Sequence, residues 1–166
     1  MVKRRILIVI FLCLTLLPLQ SMANRTGAET GLPLPRFVSL SADEVNIRTG
    51  PGTRYPIQWV FLRRGWPVEV IEEYELWRQI RDIDGDTGWV HRNLISSRRT
   101  LVITGDVRPV YEDPDENSPV VLLAEPGVLG TLEECDGRWC EIEIAGLTGW
   151  LLASDFYGVY ENEKIR

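Results

Sequence analysis

The chain repeats itself, and that repeat limits its fold more than any other feature. Trp77 to Val90 reads WRQIRDIDGDTGWV, and Trp139 to Leu151 reads WCEIEIAGLTGWL. Other landmarks follow in the same order: Pro51 with Pro114, Pro56 with Pro119, Ile57 with Val120, Gly65 with Gly127, and Gly88-Trp89 with Gly149-Trp150. The offset shrinks from 63 to 61 along the way, as single-residue deletions in loops would make it. No stretch after the N-terminal apolar run has the apolar period of a long helix. Short β-rich runs broken by turn signals predict an all-β chain of two tandem small barrels.

The repeated stretch reads as a β-hairpin. Strand side chains alternate between two faces, so Trp77 and Ile80, three apart, point opposite ways. With Ile80 in a core, Trp77 faces out. The copy behaves alike: Ile142 and Ile144 share one face, and Trp139, Glu141 and Glu143 share the other. Asp84-Gly85-Asp86 and Ala145-Gly146 supply the turns. Gly88 and Gly149 fit a bulge or a close backbone approach. Trp89 and Trp150 are expected to fill core or cap space at the barrel end.

The N-terminus reads as an export signal. Lys3, Arg4 and Arg5 precede the apolar run Ile6 to Leu19, and Ser21-Met22-Ala23 resembles a cleavage site. Residues 1–23 are therefore expected to be a cleaved signal peptide, with an uncleaved anchor as the alternative. The protein is expected to be periplasmic or secreted, with no stable membrane span after cleavage. Three of the chain's 18 basic residues and no acidic ones lie in that segment, so the net charge of −6 becomes −9 without it. The remainder is uneven, at +1 over residues 24–100 and −10 over 101–166. So acidic a second half repels nucleic acid and anionic membrane surfaces. It also suits plain solubility.

Cys135 and Cys140 flank a four-residue turn, Asp136 to Trp139. In an oxidising compartment that spacing favours a disulfide over two free thiols. One histidine and two mature cysteines do not make a metal site, and no cofactor motif is present.

Taken in order, residues 24–36, rich in Gly and Pro, read as a flexible lead-in. Residues 37–97 make the first barrel. Ser96 to Thr100 is a junction too short for independent tumbling, so the units should touch. Residues 98–160 make a divergent second barrel. Its turn Glu112 to Asn117 carries carboxylates where the first has Gly50 to Tyr55.

VNIRTGPGTRYP, with Asn46, Arg48, Gly50 and Pro51, followed by WRQIRDIDGDTGWV, resembles the bacterial SH3 (SH3b) family. The resemblance covers residues 37–96 well and 101–157 more loosely, since Pro109 and Tyr111 stand where the first copy has Asn46 and Arg48. It implies five-stranded SH3-like barrels and a binding role, often toward cell-wall peptides or beside cell-wall hydrolases. In eukaryotic SH3 domains a tryptophan at the hairpin start lines the peptide groove. Trp77, and Trp139 in the second copy, resemble that position.

These readings favour a non-catalytic module that binds cell-wall peptide, or another extended peptide, through an aromatic groove. Candidate contacts are Tyr55, Trp59, Trp66, Tyr74, Trp77 and Trp139, with Arg48 and Arg54 at the edge. Trp59 is equally well a core residue, and Arg48 could pair with a local carboxylate. The alternative is an envelope interaction or assembly factor that uses the acidic second barrel to hold a protein partner. An enzyme is disfavoured: His91 sits on a strand of the first copy, and the cysteines lie in the turn of the other.

Overall fold

The computed structural model describes residues 25–166. The expected signal peptide, residues 1–23, lies outside the described residues. Strands dominate. A small hairpin comes first, β1 (Arg25–Thr26) and β2 (Pro33–Leu34). The first barrel comprises β3 (Arg36–Leu40), β4 (Val45–Arg48), β5 (Ile57–Phe61), β6 (Pro67–Tyr74), β7 (Trp77–Arg81), β8 (Thr87–His91) and β9 (Ile95–Ser96). The second comprises β10 (Thr100–Ile103), β11 (Arg108–Tyr111), β12 (Val120–Ala124), β13 (Leu129–Cys135), β14 (Trp139–Ile144), β15 (Leu147–Leu152) and β16 (Phe156–Tyr157). A single 3₁₀ turn precedes the last strand of each.

The two sheets are wired alike. Their orders are β5-β4-β8-β7-β6-β3-β9 and β12-β11-β15-β14-β13-β10-β16, with every pairing antiparallel. Five strands per barrel were expected and seven are present. The arms of the long first loop zip into a hairpin (β4–β5), and a two-residue strand after the 3₁₀ turn adds to β3. Even the irregularities repeat: a register shift falls between Val70 and Glu72, and another between Leu132 and Glu134.

Alternation builds each core. Val45, Ile47, Val68, Val70, Ile80 and Val90 are fully buried in the first barrel. Leu101, Ile103, Val110, Ile142 and Leu151 do the same work in the second. Each such side chain contributes about 1.5–3 kcal/mol on leaving water. The Gly-Trp glycines mark close approaches. A Cβ at Gly88 would collide with Ile47, and one at Gly149 would come within 2.7 Å of the Tyr111 carbonyl oxygen. Of the two places expected for Trp89 and Trp150, core and cap, neither ring takes the core, and both are half-buried. Val90 and Leu151 take the inward positions, so alternation turns the tryptophans outward.

The lead-in is not the flexible stretch expected. Its hairpin clamps a buried carboxylate, Glu73, whose side chain has no exposed surface. Glu73 accepts hydrogen bonds from the Glu29 and Thr30 amides at 3.0 and 2.9 Å, and from Thr30 Oγ1 at 2.7 Å. Arg36 donates to it at 2.7 Å, and Arg78 Nε lies 3.5 Å away. Burial alone would raise the Glu73 pKa; the bonds from Thr30, Arg36 and the Glu29 amide outweigh it and hold the group at about 2. Gly27 is needed here, because a Cβ would strike the carboxylate. Leu34 adds its side chain to the first core. Glycine and proline in residues 24–36 signal turns, not disorder.

Cys135 and Cys140 form a disulfide across β13–β14, where they are paired residues. Asp136 caps the turn by accepting from the Arg138 and Trp139 amides. Those bonds hold its carboxyl below the usual range.

The barrels touch, as the short junction required. Phe37 of β3 meets Tyr157 edge-on at 5.0 Å and Tyr160 at 4.7 Å, and the Arg99 guanidinium lies 5.6 Å from its ring centre. Arg99 is itself held by Glu163 at 2.8 Å. Arg63 donates to the Gly127 carbonyl at 2.7 Å, and Arg98 of the junction donates to Thr131 Oγ1 of the second barrel at 2.9 Å. Burial, then the nearby Glu69 carboxylate, raises the hydroxyl pKa of Tyr157 and Tyr160.

Candidate binding site

The first hairpin places its aromatics at one end of the barrel. Tyr74 closes β6 and pairs with Trp77 across the two-residue turn Glu75-Leu76. Glu75 adopts φ 49°, a left-handed conformation, to make so tight a turn. Ile80 and Arg78 point inward on β7, which turns Trp77 outward as its spacing predicted. His91 pairs with Trp77 from β8, and its ring stands edge-on at 5.4 Å. His91 Nδ1 accepts from the Asn93 amide at 3.3 Å, so the histidine caps the 3₁₀ turn.

The loop between β4 and β5 supplies the facing wall. Arg48 Nη1 donates to the Thr53 and Tyr55 carbonyls at 3.2 and 2.8 Å, so it ties the loop to the barrel. Gly50 leaves room for the Tyr55 ring, which a Cβ would hit. The Arg54 guanidinium lies over the Tyr55 ring at 5.1 Å. Between the two walls is an open cleft of about 530 Å³, lined by Pro51, Gly52, Thr53 and Arg54 on one side and by Tyr74, Glu75, Leu76, Trp77 and His91 on the other. Tyr74 and Leu76 are about half exposed, at 51% and 47%. An exposed wall of Tyr74, Leu76 and Trp77, with the Glu75 carboxylate in its turn and Arg54 opposite, suits an extended chain with apolar side chains and a charged group.

The structure therefore joins Arg54, Tyr74 and Trp77, with Tyr55 behind Arg54. It places the other candidates elsewhere. Trp59 and Trp66 pack against the first core, and Arg63 lies 5.8 Å from the Trp66 ring. Arg48 spends its guanidinium on loop carbonyls, not on a carboxylate. Trp139 is buried, at 6% exposure, with Tyr111 edge-on to it at 5.8 Å. Tyr111 stands where the first barrel has Arg48, so a ring fills the space that an arginine spans in the first copy. Leu76, Thr53 and His91 were not foreseen as wall residues. The spacing of Trp77 and His91 within one hairpin was the signal for the last.

The matching loop of the second barrel has the same backbone bonds. Gly52 N donates to Gly50 O and Tyr55 N to Gly52 O; Asp115 N donates to Asp113 O and Ser118 N to Asp115 O. Only the side chains change. Asp115 and Glu116 now border a smaller recess of about 410 Å³ beside Trp139, with Arg138 3.6 Å from Glu116.

Two seven-strand sheets of one topology, each with a Gly-Trp step and a tryptophan at the hairpin start, define a tandem SH3-like protein. The bacterial SH3 domain family model matches residues 41–97 and 105–155, and the chain belongs to that family. It is similar to the putative N-acetylmuramoyl-L-alanine amidase YrvJ of Bacillus subtilis, at 26% identity over 123 residues, 68% of this chain. That alignment covers 24% of the amidase, so this chain spans about a quarter of that protein's length. Two solved structures, NlpC2 and NlpC1 from Trichomonas vaginalis, align at 13% and 14% identity, each with a TM-score of 0.35. They cover 74% and 80% of this chain, and 47% and 49% of their own. Among the described residues, no helix is long and apolar enough to cross a membrane.

Proposed function

We propose that this chain is an exported, non-catalytic module that binds cell-wall peptide, or a similar extended peptide, in the Arg54–Trp77 cleft of its first barrel. One observation carries the reading: Tyr74 and Trp77 of the β6–β7 hairpin and Arg54 of the β4–β5 loop line a single open cleft. Family membership supports a binding role, and the amidase relative, named for a cell-wall bond, supports the ligand class. The second barrel's equivalent tryptophan is covered, so the reading assigns this cleft to the first barrel alone.

The test is co-sedimentation of residues 24–166 with purified peptidoglycan sacculi, run beside a folded Trp77→Ala variant. Binding that falls in the variant supports the cleft. Unchanged binding keeps the ligand and removes the cleft. A second reading draws on the acidic loop around Asp115 and the −10 charge of the second half: a basic protein partner held there. Partner capture that does not weaken with salt would sink it.

A further inference from the structure

A second cleft lies where the barrels meet, away from Trp77. Its volume is about 490 Å³, within the usual range of small-ligand sites. The first barrel contributes Leu40 from β3, Ser96 from β9 and Arg64 from the turn before β6. Arg98 comes from the junction, and the second barrel gives Thr100, Leu129, Thr131, Glu143 and Ala145. No single barrel could form it.

Its charges are available. Among the described residues, Arg98 has no carboxylate within ion-pair distance, and its one bond from the guanidinium goes to Thr131 Oγ1. Arg64 reaches Asp43 at 3.2 Å, but both side chains are mostly exposed, at 62% and 84%, so that pair holds it weakly. Glu143, the cross-strand partner of Thr131, also lines the cleft and uses one oxygen for the Gly146 amide. Thr100 Oγ1 is buried in the wall with no hydrogen-bond partner, although its backbone lies in a regular strand. Leu40, Leu129 and Ala145 give the walls an apolar part.

We propose that this inter-barrel cleft is a second ligand site, and that it takes the carboxylate end of a short peptide. Arg64 and Arg98 hold the carboxylate, Glu143 takes an ammonium of the same ligand, and the apolar wall receives its aliphatic part. Two cations and one anion in one cleft match a zwitterion, and Glu143 together with the net −10 of the second half disfavours a polyphosphate. The volume is too small for a folded partner. This inference rests on the cell-wall reading above and adds to it a site and the end of the peptide that is recognised.

The experiment is an NMR titration of the protein, residues 24–166, with the stem tripeptide L-Ala-γ-D-Glu-diaminopimelate and with its terminal-amidated form. The expected result is movement of the Leu40, Thr100 and Thr131 amide signals in wild type and in Trp77→Ala. Affinity should fall at least about tenfold in Arg64→Ala/Arg98→Ala and for the amidated peptide. Both arginines are on the surface, so a dispersed spectrum confirms that the double variant is folded. Shifts confined to the Trp77 cleft, or cleft shifts that survive the double substitution, overturn the inference and leave the cell-wall reading standing. No shifts together with sacculi that still co-sediment with the protein overturn the inference alone. No shifts and no co-sedimentation overturn both.

Discussion

The same place in the two hairpins is fastened by different chemistry. In the first barrel, paired residues Glu73 and Arg78 carry a buried ion pair; in the second, the corresponding Cys135 and Cys140 carry a disulfide. Each fastening is covered by an outlying segment. The 25–34 hairpin donates to Glu73, and Ile165 exchanges both backbone bonds with Cys135 at 3.0 Å. The position just before the hairpin turn evidently needs a cross-strand tie, and two unrelated ties serve. They differ in what they demand. A disulfide is complete with two residues, whereas a buried carboxylate must be surrounded by donors. That demand accounts for the ordered lead-in, with Gly27 and Thr30 around Glu73.

Four measurements sharpen or break this comparison. The largest effect is expected for Glu73→Ala, which strands Arg36 and Arg78 and should cost about 3–5 kcal/mol by chemical denaturation. Its pH signature has a definite sign. Glu73 is held below its unfolded value, so its contribution is complete above a pH of about 4.5 and is lost as the pH falls toward about 2. The variant should show a shallower loss of stability across that window. A cost below about 1 kcal/mol would mean the ion pair is not the fastening.

Next comes Trp139→Ala. Removing a nearly buried indole should cost about 3 kcal/mol, measured in the same way. The double change Cys135→Ala/Cys140→Ala should cost about 2 kcal/mol, the loop-entropy value for so short a loop. Reductant should reproduce that loss in the native protein and leave the double variant unmoved. The smallest effect is expected at Trp77→Ala, about 1 kcal/mol, because that side chain already meets water. Equal costs at Trp77 and Trp139 would erase the distinction between an open cleft and a filled one.

The fold was legible because its signals are local and occur twice. Ile80 and Ile142 set the inward face, Asp84-Gly85 and Ala145-Gly146 set the turns, and Gly88 and Gly149 announced close packing. The cleft was legible only in part. Alternation turned Trp77 outward correctly, but it cannot tell whether an outward ring stays uncovered. Trp139 faces the same way and is closed over by Tyr111, a residue 28 positions earlier in the chain. Trp59 and Trp66 had no spacing that separated groove from core, and tertiary contact decided. Arg48 looked like a ligand contact because nothing local reveals that its guanidinium folds back on the Thr53 and Tyr55 carbonyls. The Glu73 cluster was hidden for the same reason: its donors Thr30 and Arg36 lie some 40 residues away, at separations of 43 and 37.

Phe37 carries a consequence for how the molecule comes apart. It belongs to the strand that opens the first copy, yet Tyr157, Tyr160 and Arg99 of the other side close around its ring. Either copy cut free would bare that aromatic cluster and lose its share of burial. The interface thus couples two unfolding equilibria, and the stretch that recurs in the sequence is smaller than the body that melts.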